Sequence, residues 1–135
     1  MPNRLAISAG PAEPYILVTG YGLWTPQQFE QHFRDLDRAL RTMRIRAGFG
    51  RVLVDLSLAH VQTAECAAVM SQWTGLIYRE RDEVAVICGT TLLSMQIRRE
   101  AKIYHRATFQ EKKAAIAWLL SEKAPDGAGR PSRSA

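Results

Sequence analysis

Val52-Leu53-Val54 and Val84-Ala85-Val86-Ile87-Cys88 are unbroken apolar runs, too short for helices, set among stretches whose apolar residues recur every three or four positions. That combination restricts the fold more than any other feature. A short unbroken run reads as a strand buried on both faces, and burying both faces of a sheet takes helices. The intervening stretches supply them. Thr25-Pro26 opens the first helix, with Thr able to cap free backbone N–H groups and Pro suited to the first turn. Phe29, Phe33, Leu36, Leu40 and Met43 then fall on one stripe until Gly48-Phe49-Gly50 ends it. A loop from Ser57 to Gln62 leads to a second helix capped by Thr63, with Cys66, Val69, Met70, Trp73, Leu76 and Ile77 as its expected core face. Gly89-Thr90-Thr91 turns into a third helix carrying Leu93, Ile97 and Ala101. A short strand around 107–109 and a last helix over 111–121 follow. Ahead of all these, Leu5 to Ala9 and Tyr15 to Thr19 flank a Gly/Pro turn and read as a hairpin. The expected order is β-β-α-β-α-β-α-β-α, an α/β fold with a mixed, mostly parallel sheet.

Residues 1–123 read as one domain. From 124 to 135 Pro, Gly, Ser and Arg follow without an apolar anchor, and a disordered tail is expected. The 135 residues are 47% hydrophobic and 23% charged, a globular profile. The longest apolar runs, about five residues, fall far short of the roughly 20 that span a bilayer. No secretory h-region follows the start, so a cytoplasmic location is expected. Cys66 falls on a core face and Cys88 ends an apolar strand, which makes both buried free thiols. Neither combines with His32, His60 or His105 at a metal-ligand spacing, and neither metal nor cofactor is expected.

Eighteen basic against thirteen acidic side chains give a net charge of +5, a mild preference for anionic partners. Arg34, Arg38 and Arg41 interleave with Asp35 and Asp37, and Arg98, Arg99 and Lys102 with Glu100. A solvated, salt-bridged surface accounts for them more simply than nucleic-acid binding.

No catalytic motif emerges. Asp55, Ser57 and His60 share the end of a central strand, where open α/β sheets place ligands, but six residues of loop offer little rigid support for an acid-base set. Asp55 more simply accepts loop N–H bonds. Gly20-Tyr21-Gly22 and Gly48-Phe49-Gly50 lack the remainder of a phosphate-binding fingerprint. Gly89, Thr90 and Thr91 stand between strand and helix, where an anion could be received or one Thr could cap the helix. A small-ligand or anion site near Asp55 and Gly89-Thr91 is therefore the alternative functional reading.

From Tyr15 to roughly Leu120 the chain resembles the STAS-like fold of the SpoIIAA-type anti-sigma-factor antagonists, in its short bacterial branch. Gly22-Leu23-Trp24-Thr25, Val52-Leu53-Val54-Asp55, Gln96-Ile97-Arg98-Arg99, Phe109 and Ala117-Trp118-Leu119 carry the resemblance. It implies a non-enzymatic module that works through protein contacts, in a regulatory setting. Regulated members begin their second helix with Asp-Ser-Ser-Gly and phosphorylate the first serine. Thr63, Ala64, Glu65 and Cys66 stand there in this chain, and Ala64 has no hydroxyl to modify. Ser57 and Thr63 are the nearest remaining hydroxyls. The expected partner is a protein, a second copy of the chain included. The surface expected to meet it is the small-residue side of the second helix: Thr63, Ala64, Ala67, Ala68, Ser71 and Gly75.

Overall fold

Thr25 begins the long helix in the manner its sequence requires. Its hydroxyl accepts the Gln28 N–H at 3.1 Å, and Gln28 Oε1 accepts the Thr25 N–H at 2.9 Å, a reciprocal capping box. Gly48 closes the same helix at φ 91°, a left-handed position that costs glycine nothing. The computed structural model describes residues 3–10 and 13–121. In order they form β1 (Arg4–Ser8), β2 (Ile16–Gly22), α1 (Pro26–Ala47), β3 (Arg51–Ala59), α2 (Ala64–Ile77), β4 (Glu83–Cys88), α3 (Thr91–Glu100), β5 (His105–Phe109) and α4 (Lys112–Leu120). This is the expected order. The tail expected at 124–135 lies outside the described residues.

The five strands lie in chain order, β1-β2-β3-β4-β5. β1 pairs antiparallel with β2, and every later pair is parallel. Each crossover advances one place in the same direction. Right-handed crossovers of that kind put α1, α2 and α3 on one face, and α4 returns over the other. Alternate residues of the central strands serve the two faces. Val52, Val84 and Val86 join Leu36, Leu40 and Leu93 in the larger core. Leu53, Ala85 and Ile87 meet Ala115 and Leu119 of α4 in the smaller one.

Asp82 ties the amino-terminal end of the sheet together. Its carboxylate is 1% exposed and accepts the N–H of Gly50 at 2.7 Å and of Arg79 at 2.8 Å. Arg44 at the end of α1 donates to it through Nε at 3.2 Å and through Nη2, which also reaches the Ile77 carbonyl at 2.7 Å. One buried ion pair thus fixes the ends of α1 and α2 to the starts of β3 and β4.

β3 departs from expectation in length. The stretch from Ser57 was expected as loop, yet β3 continues to Ala59 because β2 runs on to Gly22, pairing Tyr21 with Leu58 and Gly22 with Ala59 after a register shift. Asp55 and Ser57 therefore stand on a strand.

Candidate functional site

The carboxyl ends of β2, β3 and β4 carry most of the residues singled out above. They are organised by two buried glutamines. Gln62, 5% exposed, donates its backbone N–H to Gln96 Oε1 at 2.8 Å, and Gln96 Nε2 returns a bond to the Gln62 carbonyl at 2.9 Å. Gln62 Nε2 donates to the carbonyls of Gly22 at 3.0 Å and His60 at 2.7 Å, while its Oε1 accepts the Trp24 N–H at 3.2 Å. Burying a polar side chain is tolerable only when its bonds are made, and here they tie the connections after β2 and β3 to each other and to α3. Trp24 completes the clasp: its indole N–H donates to Arg4 O at 2.8 Å, and its carbonyl accepts the Cys66 thiol at 3.0 Å. A side chain at position 20 would collide with the Trp24 ring, so Gly20 serves this packing.

The clasp delivers the start of α2 to the surface. Thr63 caps it, accepting the Cys66 N–H at 3.2 Å, and Ala64 and Glu65 are exposed. The faces of α2 differ from expectation. Its buried residues are Cys66, Ala67, Met70, Thr74 and Ile77, whereas Leu76 is 68% exposed. Ala67, expected on the partner side, is 6% exposed and leaves that stripe. The reason is Thr74. Its hydroxyl donates to Met70 O at 2.7 Å and accepts the Lys102 N–H at 2.8 Å, which turns that side of the helix inward. Ala64, Ala68 and Gly75 remain exposed and Ser71 half-buried.

Apolar side chains collect around the same end. Leu23 follows β2, Leu58 and Val61 lie at and beyond the end of β3, and Leu92 and Met95 belong to the start of α3 beyond β4. Their exposures are 41, 57, 42, 68 and 54%. The sequence reading missed this rim. Leu58 and Val61 were placed in a loop without a face, and Leu92 and Met95 stood out only as the positions of α3 left over from the Leu93–Ile97 stripe.

The other candidates separate. Asp55 Oδ1 accepts the Ser57 N–H at 3.1 Å and the Ser57 hydroxyl at 2.7 Å. His60 is exposed, its backbone N–H held by Gly22 O at 3.1 Å, and its ring does not join them. Thr90 caps α3, accepting the Leu93 N–H at 3.2 Å. Gly89 is required by crowding, because a Cβ there would strike the Ser57 carbonyl. Thr90 and Thr91 border a cleft of about 230 Å³ with Cys88, Ser94, Arg98 and Thr108; Asp55 does not. Burial pushes the Cys88 thiol up to about 11, against the pull of Arg106, so it stays protonated and a poor nucleophile. Cys66 and Cys88 are both free and buried.

Basic side chains are largely engaged. Arg38 lies 3.7 Å from Asp35, Arg41 3.2 Å from Asp37 and Arg99 2.8 Å from Glu100, while Arg34 covers the Trp73 ring at 5.7 Å. Among the described residues no group of three or more His, Cys, Asp or Glu side chains is placed to hold a metal, and no helix is long and apolar enough to cross a membrane.

No family model and no curated protein matches the chain. Among solved structures it is similar to a protein from Shewanella loihica PV-4, described as an uncharacterized member of the DUF3478 family with a SpoIIAA-like fold. The two are 21% identical with a TM-score of 0.58, over 87% of this chain and 93% of the other. The likeness shows the fold: mixed α/β and SpoIIAA-like, as the sequence resemblance implied.

Proposed function

We propose that the chain is a non-enzymatic, cytoplasmic protein-interaction module whose partner docks on the carboxyl-end rim of the sheet. The observation that carries this reading is the exposure of Leu23, Leu58, Val61, Leu92 and Met95 at one end of the molecule, beside the small residues Ala64 and Ala68. Apolar side chains gathered on one surface mark contact sites, and small residues let a partner backbone come close. The strand order supports it too. Doubly wound sheets bind ligands in the crevice where strand order reverses, and among the described residues this sheet runs in one direction, β1 to β5. The phosphorylation switch of the SpoIIAA-type proteins does not carry over at Ala64. Of the two nearest hydroxyls, Thr63 is engaged in its cap and Ser57 in its bond to Asp55. The deciding experiment compares capture of host proteins by the wild type and by Leu58→Glu/Leu92→Glu. A partner held by the wild type and lost at least tenfold by the folded variant supports the rim; equal capture removes it.

A second reading rests on the polar cleft beside Thr91 and Arg98, which suits a compact anion. Thermal shift with inorganic phosphate and nucleotides tests it. A rise abolished by Arg98→Ala supports the reading, and flat responses sink it.

A further inference from the structure

Among the described residues β1 is an edge strand that has no proline, no bulge and no covering strand. Native edges are blunted by charges, proline, bulges or a covering element. The opposite edge, β5, begins His105-Arg106. β1 reads Arg4-Leu5-Ala6-Ile7-Ser8, with its one charge at the first residue. Among the described residues nothing pairs with its outer side. Leu5 and Ile7 point toward α1, only half-buried. They floor a groove of about 450 Å³ walled by Gln28, Gln31, His32 and Asp35.

We infer that β1 is the seam of a two-fold dimer, in which β1 of a second copy pairs antiparallel about Ala6 to join two five-stranded sheets into one. The strand selects its own copy as occupant. An axis through Ala6 sets Leu5 opposite Ile7 and Arg4 opposite Ser8 of the other copy, so apolar meets apolar and the cation meets a hydroxyl. An in-register parallel pair would instead bring the two Arg4 side chains together. The axis works for either set of outward backbone groups. If those of Leu5 and Ile7 face out, about four ladder bonds form; if those of Arg4, Ala6 and Ser8 do, about six form. The groove presents no unmatched charge to the incoming copy. Its carboxylate, Asp35, already accepts from Gln31 Nε2 at 3.0 Å and lies 3.7 Å from Arg38. Closed two-fold pairing also consumes the edge, whereas an open edge would template further strands.

The test uses the full chain. Sedimentation velocity over a dilution series from low to several hundred micromolar should show a monomer passing to twice its mass, and Ala6→Lys should hold it monomeric. Cross-linking gives a readout that does not depend on weakening the fold. Opposed Cα atoms in an antiparallel pair are about 4.5 or 5.5 Å apart, both within the roughly 4.4–6.8 Å that a disulfide spans. Mild oxidation should therefore link Ala6→Cys into a covalent dimer and leave Ser8→Cys alone unlinked, while the double variant Arg4→Cys/Ser8→Cys links again. A wild type that stays monomeric throughout, or an Ala6→Cys no more readily linked than Thr42→Cys on the outer face of α1, overturns the seam. So does a dimer that Ala6→Lys leaves intact. An edge occupied by a peptide of another protein in place of the second copy overturns it as well.

Discussion

His32 shows how one buried side chain sets a response to pH. It is 8% exposed among the rings of Phe29 and Phe33, with centroids 6.2 and 5.1 Å away. Burial strips hydration from the imidazolium and pulls its pKa from 6.5 down to about 4, with the Asp35 carboxylate pulling the other way. The unfolded chain takes up the proton near 6.5 and the folded chain only near 4. Stability is thus complete above the first value and falls as the pH drops toward the second, by about 3 kcal/mol. Urea unfolding at pH 7 and pH 4.5 should show this decline in the wild type and a much smaller one in His32→Phe. Equal declines would mean that the ring is solvated. Asp82 answers a different question, what a buried charge costs when its partner goes. Asp82→Ala leaves Arg44 unpaired and the N–H groups of Gly50 and Arg79 without their acceptor. A loss of about 3–5 kcal/mol is expected in the same assay. A loss below about 1 kcal/mol would mean that water replaces the carboxylate.

Among the elements, α1 and α2 mark the boundary of what a sequence can disclose. α1 was legible because Phe29, Phe33, Leu36, Leu40 and Met43 are large and apolar on one side, and all five are buried. α2 carries small or apolar residues nearly all round. Alanine is indifferent to burial, so periodicity could not choose which alanines face inward. The choice is made by Lys102, 28 residues beyond Thr74, whose N–H needs the Thr74 hydroxyl. The glutamine clasp is hidden for the same reason, since Gln62 and Gln96 are 34 residues apart and look like ordinary surface positions. The order of strands and helices along the chain and the capping threonines are local and were readable. The order of strands within the sheet rests on pairings between distant residues and the rim on where β3 ends, and neither was readable. A pair of adjacent substitutions tests the observed face of α2. Ala67→Arg forces a long cation into a site 6% exposed and should lower stability by several kcal/mol, while Ala68→Arg should stay within about 0.5 kcal/mol of the wild type. Equal thermal midpoints for the two variants would place both residues on the surface.

At the scale of the whole molecule, the SpoIIAA-like strand order has a consequence for how the chain is made. Every strand after the first is laid beside the one before it, so a nascent chain leaving the ribosome always has its next pairing partner already outside. Synthesis at roughly 5–20 residues per second leaves time for each β-α-β unit to dock before the next one emerges. One surface is denied that benefit. Among the described residues α4 is the one helix that packs over Leu53, Ala85 and Ile87. Their other apolar neighbours, Tyr15, Leu17 and Phe109, belong to the sheet or its approach, so most of that face stays bare until the final described element arrives. Ending translation after Phe109 should therefore yield a chain that binds hydrophobic dye and aggregates, whereas ending it after Ser121 should yield a soluble one free of aggregate. Equal solubility of the two products would show that the smaller core is dispensable. The arrangement makes α4 a seal laid over the reverse face of a sheet whose five strands already precede it in the chain, so a chain that stops before α4 keeps its strands and lacks their cover.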